Sequence, residues 1–284
     1  MTGQVTRSPL VDAATLATSV SGEDPPTILD VRWHLAGPPG RDEYAAGHLP
    51  GAVFLNLEAD VCGAPGAGGR HPLPDPAVLQ SALRAAGVRT GHPVVVYDAG
   101  DGLPAARTWW TLRWAGHDAV QVLDGGYPAW LAAGQPAHTE VPAPPPGDIT
   151  VRPGAMPVLD ADHAAALATR GVLIDVRAAP RYRGETEPID PVAGHVPGAV
   201  NLPATESLDP AGLLRAAGEL RSRFAAAGVV AAKPVGAYCG SGVTAALTVL
   251  ALHVAGRSDA GLYVGSWSHW ITDPDRPVAT GAGG

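Results

Sequence analysis

Ala46-Gly47-His48-Leu49-Pro50-Gly51-Ala52-Val53 returns later in the chain as Ala193-Gly194-His195-Val196-Pro197-Gly198-Ala199-Val200. It does not return alone. Ile28-Leu29-Asp30-Val31-Arg32 recurs as Leu173-Ile174-Asp175-Val176-Arg177. Val94-Val95-Val96-Tyr97-Asp98 recurs in outline as Lys233-Pro234-Val235-Gly236-Ala237-Tyr238-Cys239. Gly125-Gly126-Tyr127-Pro128-Ala129-Trp130 recurs as Val264-Gly265-Ser266-Trp267-Ser268-His269-Trp270. The offsets are 145 from Asp30 to Asp175, 147 from His48 to His195, 141 from Asp98 to Cys239 and 140 from Trp130 to Trp270. Matches kept in one order at one long spacing mean two tandem domains rather than a solenoid. The expected division is residues 1–134, a Pro-rich semi-rigid linker over 135–157, and residues 158–284.

Composition agrees. The 284 residues suffice for two domains with large cores. Hydrophobic residues make up 46% and charged residues only 16%, against roughly 25% charged in an average domain, which excludes intrinsic disorder. The formal charge of −8 and the lack of a Lys/Arg run argue against nucleic-acid or anionic-membrane partners. Two cysteines, Cys62 and Cys239, make neither a disulfide framework nor a Cys-rich zinc site, and suit a reducing compartment. The N-terminal MTGQVTRSPLVDAATL lacks the basic start and apolar core of a signal peptide. The expectation is a cytoplasmic protein.

Each half alternates short strands with helices. Strands are expected at Thr27–Val31, Ala52–Leu57, Val94–Tyr97 and Ala119–Leu123, then at Val172–Val176, Ala199–Leu202, Val235–Tyr238 and Gly261–Val264. A helix should run from an Asp75 N-cap and Pro76 to Gly87, and another over Ala105–Ala115. Further helices are expected near Asp160–Thr169, Leu213–Ala227 and Val243–Val254. Uniformly apolar strands between helices predict an α/β fold, each domain a parallel sheet covered on both faces. Ligands then bind at the carboxyl ends of the strands.

One strand end carries a nucleophile. Cys239 follows the last expected central strand and precedes Gly240-Ser241-Gly242-Val243-Thr244 and an apolar helix. A glycine-rich strand-to-helix turn gathers backbone N–H groups and the helix dipole, which favour an anion. The thiolate is the reactive form of cysteine. The blander reading is an inert buried thiol, the usual fate of a free cysteine. The matching position in the first half is Asp98, which cannot carry sulfur. One half thus reads as catalytic and the other as retired to support.

The chain resembles the tandem-domain sulfurtransferases of the rhodanese superfamily. The resemblance rests on Leu29-Asp30-Val31-Arg32, Gly47-His48-Leu49-Pro50-Gly51-Ala52, Arg107-Thr108-Trp109-Trp110, Leu123-Asp124-Gly125-Gly126, Arg181-Tyr182-Arg183-Gly184, Cys239-Gly240-Ser241-Gly242-Val243-Thr244 and Gly265-Ser266-Trp267. It covers nearly the whole chain. It implies two rhodanese-like domains with Cys239 as the catalytic residue of the second. Cys239 would take sulfur from a small anionic donor, hold it as a persulfide and pass it to cyanide or a thiol. The family resemblance implies no cofactor or metal, and a monomer or weak homodimer is expected. Gly240, Ser241, Gly242, Val243 and Thr244 would form the loop around the sulfur.

The loop bears on the donor. Thiosulfate-preferring members typically carry Arg and Lys after the cysteine; here stand Gly240 and Ser241. The neutral form resembles 3-mercaptopyruvate sulfurtransferases, in which two arginines hold the donor carboxylate. Arg181 matches the first. The second would follow Glu187-Pro188, where this chain has Ile189. Arg183 substitutes only if it turns inward. A relay carried over from the same enzymes would use Ser241, His48 and Asp42. His48 also has a plainer reading, because its twin His195 makes it a turn-stabilising residue of both halves. Asp30 with Arg32, and Asp175 with Arg177, read as structural pairs. The tryptophans read as core, with Trp267 a candidate wall of the pocket, and Cys62 reads as a bystander thiol.

Two other classes share parts of this pattern. A persulfide carrier in a sulfur relay would need the same cysteine and little small-donor turnover. A phosphatase would need Cys-x5-Arg, so that the guanidinium can grip phosphate. The sixth residue after Cys239 is Ala245.

Overall fold

The computed structural model describes residues 8–282, so the first seven residues of the N-terminal stretch and the last two residues lie outside it. In chain order the first half holds β1 (Leu10–Val11), α1 (Ala13–Val20), β2 (Thr27–Asp30), α2 (Gly40–Ala46), β3 (Val53–Phe54), α3 (Pro76–Ala85), β4 (Val94–Tyr97), α4 (Leu103–Trp114), β5 (Val120–Leu123) and α5 (Gly126–Ala132). The second holds β6 (Val158–Leu159), α6 (Ala161–Arg170), β7 (Val172–Asp175), α7 (Ala179–Tyr182), β8 (Val200–Asn201), α8 (Ala217–Ala226), β9 (Val235–Tyr238), α9 (Val243–Val254), β10 (Gly261–Tyr263) and α10 (Ser266–Trp270). The sheets have orders β1-β5-β4-β2-β3 and β6-β10-β9-β7-β8, and their paired strands run parallel. Even the register repeats: Asp30 pairs with Tyr97, and Asp175 with Tyr238. Among the described residues no helix is long and apolar enough to cross a membrane.

The repeated residues build one frame twice. The Arg32 guanidinium forks onto Asp30, with Nη2 2.6 Å from the carboxylate, and also donates to the Gly47 carbonyl. Arg177 does the same to Asp175 and the Gly194 carbonyl. Both pairs are buried, so their desolvation needs this full set of partners. Their structural reading holds. His48 and His195 stack on Tyr44 and Tyr182 at 4.0 and 3.7 Å and face the carbonyls of those tyrosines.

Two local expectations are corrected. The strand expected over Ala52–Leu57 is only Val53–Phe54, because Asn56 accepts from the Glu58 and Ala59 N–H groups and starts a wide helical turn over Leu57–Val61. The helix expected from Leu213 starts at Ala217, because Asp209 captures the Ala211 and Leu213 N–H groups in a loop. The Pro-rich stretch is extended, in keeping with a semi-rigid linker. It bonds back to the first half through Gly147 to Arg84 and Arg152 to Ala115, and it buries Ile149.

The halves share a core. α4 packs on α9, and one cluster of buried residues includes Trp109 and Leu112 with Leu247 and Leu250. A helix buried on nearly every side belongs between layers. The expected packing role of Trp109, Trp110, Trp130, Trp267 and Trp270 holds, since all are buried.

Asp98 ends β4 where Cys239 ends β9. It is buried and accepts hydrogen bonds from Gly100, Gly102 and Ala105. Burial, with the Asp101 charge, outweighs these donors and pushes its carboxyl up to about 7 from an ordinary 3.8. The folded state therefore holds this proton more tightly than the unfolded chain. The corresponding stability is full below pH 3.8 and is lost as pH rises through 7. Asp98→Asn removes this titration, so its stability relative to the parent should climb by roughly 4 kcal/mol between acid and mildly alkaline pH. Urea unfolding across that range checks this, and a pH-independent difference would contradict it.

Candidate active site

β9 delivers Cys239 to the carboxyl edge of the second sheet, buried at 2% exposure. The Gly242 N–H donates to its sulfur at 3.0 Å. Gly242 has φ +83°, and a Cβ there would lie 2.2 Å from the Val264 carbonyl oxygen. Only glycine allows this turn. α9 begins directly behind, its N-terminal dipole aimed at the sulfur. The first turn of α10 staples the loop: Trp267 N–H donates to Cys239 O and Ser268 N–H to Gly240 O. Ser266 lies within it at φ +53°, costly for a residue with a side chain. Its hydroxyl accepts from the Cys239 N–H at 3.1 Å and donates to Tyr263 O, 4.0 Å from the sulfur.

The cysteine opens onto a cavity of about 600 Å3 between the halves. Gly240, Ser241, Val243, Thr244 and Arg181 line it, as does Ile189. Gly242 stands behind the sulfur, as described.

The first half completes the site. His71 Nδ1 lies 2.8 Å from Ser241 Oγ, and its Nε2 lies 3.5 Å from Glu58 Oε1. Burial holds the imidazole below its usual 6.5, despite the Glu58 hydrogen bond that favours its charge. A neutral ring can accept the Ser241 proton at Nδ1 while Nε2–H faces Glu58. Arg107, wholly buried on α4, positions this loop by donating Nη2 to the carbonyls of His71 and Pro72. Trp33 meets the His71 ring edge-on at 5.4 Å.

His71, Glu58, Arg70 and Arg107 were missing from the sequence expectation for this site. The relay through His48 and Asp42 is not formed: the His48 ring bonds Tyr44 and Glu140 carbonyls, and Asp42 is exposed on α2. Ser241 keeps its place, with His71 as partner. A signal did exist. His48 has a twin in the second half, whereas His71 lies in a loop without one, so duplication itself separates frame from site.

Arg181 comes from α7 and reaches the cavity. It donates Nε and Nη2 to Glu187 at 3.0 and 2.7 Å and Nη2 to Asp190 at 3.2 Å. Burial works against the Glu187 charge, but Arg181 and the N–H groups of Asp190 and Ile189 outweigh it and hold Glu187 below the usual range. Arg183 does not turn inward. Its guanidinium is taken by Glu185 at 2.7 and 2.8 Å, outside the cavity lining. Trp267 does not wall the cavity either; it lies under Arg177, at 4.8 Å. Cys62 is buried in the core, which pushes its thiol up against the opposing effect of Arg107.

Fold and site define a duplicated α/β protein with one cysteine loop, completed by a histidine and an arginine from the half that has Asp98 at the matching position. The Rhodanese-like domain family matches residues 12–133 and 160–273. A Mycobacterium tuberculosis protein provisionally named thiosulfate sulfurtransferase SseB is 45% identical over 278 residues, covering 96% of this chain and 97% of its own. A Pseudomonas aeruginosa protein provisionally named 3-mercaptopyruvate sulfurtransferase is 47% identical over 282 residues, covering 96% of this chain and 98% of its own. The crystal structure of SseA from Escherichia coli, a 3-mercaptopyruvate sulfotransferase, matches with a TM-score of 0.82 at 32% identity, over 92% of this chain and 100% of that one. The chain belongs to the rhodanese family.

Gly242→Ala should collapse the loop onto Val264, costing at least about 2 kcal/mol and removing cysteine reactivity toward thiol reagents under native conditions. Unfolding and labelling rates measure both effects; a fully stable variant would contradict the glycine requirement.

Proposed function

We propose that this sulfurtransferase takes sulfur from 3-mercaptopyruvate on Cys239 and passes it to cyanide or a thiol. The supporting observation is the hydrogen bond between Ser241 and a neutral His71 beside the cysteine. A thiol donor carries a proton on the sulfur to be moved. Thiosulfate carries none there, so the pair would have no proton to move.

In the first step the Cys239 thiolate attacks the donor sulfur. The carbon–sulfur bond breaks, and its electrons leave as the enolate of pyruvate. The Ser241–His71 pair takes the proton from the donor sulfur and returns it to the carbon. The products are pyruvate and a Cys239 persulfide, with charge balanced. The Gly242 N–H and the start of α9 hold the sulfur anion. In the second step cyanide attacks the outer sulfur, thiocyanate leaves, and the thiolate is restored.

Arg181 orients the donor carboxylate, and Gly240, Val243 and Thr244 shape the pocket. The working division is a supporting half at 1–134 and a catalytic half at 158–284, joined through 135–157. One chain supplies every residue in this account, which suits a monomer. A nearly buried cysteine in a cavity of this size suits a small donor better than a carrier role. Two unpaired thiols suit the cytoplasm.

His71→Gln should lower kcat with 3-mercaptopyruvate by roughly a hundredfold, and leave thiosulfate turnover within about threefold. The parent's 3-mercaptopyruvate rate should fall on the acid side of 6.5 as His71 gains its proton. Thiocyanate formation reads both; equal losses with both donors would reject the proton-moving role.

A further inference from the structure

We infer that Arg70, carried by the first half, is a donor-binding residue: with Arg181 it grips the carboxylate of the sulfur donor from across the domain boundary. This rests on Cys239 being the sulfur acceptor for a carboxylate donor.

Gly240, next to the cysteine, locates the grip. A Cβ on Gly240 would stand 2.9 Å from Arg70 Nη2 and 3.6 and 3.8 Å from Arg181 Nη2 and Nη1. Two guanidinia from different halves thus converge on one point beside the nucleophile. A side chain at position 240 would occupy the space that Arg70 uses. The bare glycine and the distant arginine form a matched pair, and the cation reaches the site from residue 70 rather than from the loop.

Arg70 is also built into place. Its backbone N–H donates to Ser268 Oγ, and Gly69 packs against the Gly265 backbone, in the same turn that staples the cysteine loop. Asp190, 2% exposed at its side chain, lies between the guanidinia and accepts from Arg70 Nη1 and from Arg181 Nη2. It keeps the two cations together without using all their donors. Arg181 Nη1 and Arg70 Nε have no partner among the described residues, and Arg70 Nε is buried.

The chemistry selects the ligand. Guanidinium forks match a planar carboxylate in a way an ammonium does not. Glu187 and Asp190 balance the two arginines, so the empty site is near neutral. A monocarboxylate can use Arg181 Nη1 and the Arg70 Nη2 that faces Gly240, whereas a small dianion meets no net positive charge. The pair therefore favours a mercapto-carboxylate over thiosulfate.

An interdomain strut would use the same Arg70–Asp190 pair, so the test must separate the roles. Steady-state kinetics with 3-mercaptopyruvate and cyanide are measured on the full chain. Arg70→Met should raise KM roughly tenfold or more and change kcat by less than about threefold, as for one lost charge-assisted contact. Arg70→Lys should recover only part of this. Asp190→Asn removes the charge of the same ion pair but leaves an acceptor oxygen between the two guanidinia, so its KM should stay within about threefold of the parent's. Gly240→Ala, which keeps every charge and crowds Arg70, should raise KM and provides a check independent of the ion pair. A parental KM in Arg70→Met, or equal rises in Arg70→Met and Asp190→Asn, would overturn the inference while leaving the proposed function standing. No parental turnover with this donor would overturn both.

Discussion

The packing of α4 against α9 is the contact on which the site depends. Each helix follows its sheet's central strand, and each is buried almost all round. Neither can face water without losing a large burial energy. Laid against each other, they bring the carboxyl edges of the two sheets to one cavity. Arg107 reaches from α4 to hold the His71 loop, and the 66–70 segment lands on the Gly265–Ser268 turn. A hydrophobic contact thereby sets the position of a polar one.

Duplication explains the division of labour. The Asp–Arg pairs, the stacked Tyr–His pairs and the central register occur in both halves and serve as frame. The copies differ around the cysteine loop. Asp98 faces three N–H groups in the place of Cys239. Gly126, relaxed at φ +58°, corresponds to Ser266, strained at +53°. The second half accepts that strain and gains a hydroxyl against the cysteine backbone. The half with Asp98 in that place supplies Glu58, Arg70, His71 and Arg107.

The fold was legible because its frame is local and repeated. Val94–Tyr97, Val235–Tyr238 and Val243–Val254 are read to the residue, since uniform apolar runs between turn residues leave little choice. Two-residue edge strands such as β1 and β6 carry no pattern of their own; their partners define them. α2 begins straight after Pro38-Pro39, a sequence that reads as loop. Cys239 and Ser241 were legible from the glycines around them. His71 and Arg70 were not, because their place depends on which turn of the other half their loop meets. Their only mark in the sequence is that they have no twin.

The central claim is that Cys239 carries the sulfur. Peptide mass analysis after brief exposure to 3-mercaptopyruvate tests it most directly, with Cys239→Ser alongside. The account predicts one added sulfur on the Cys239 peptide, removed by cyanide, and none in the variant. No added sulfur on that peptide, or sulfur held on Cys62 instead, would contradict it.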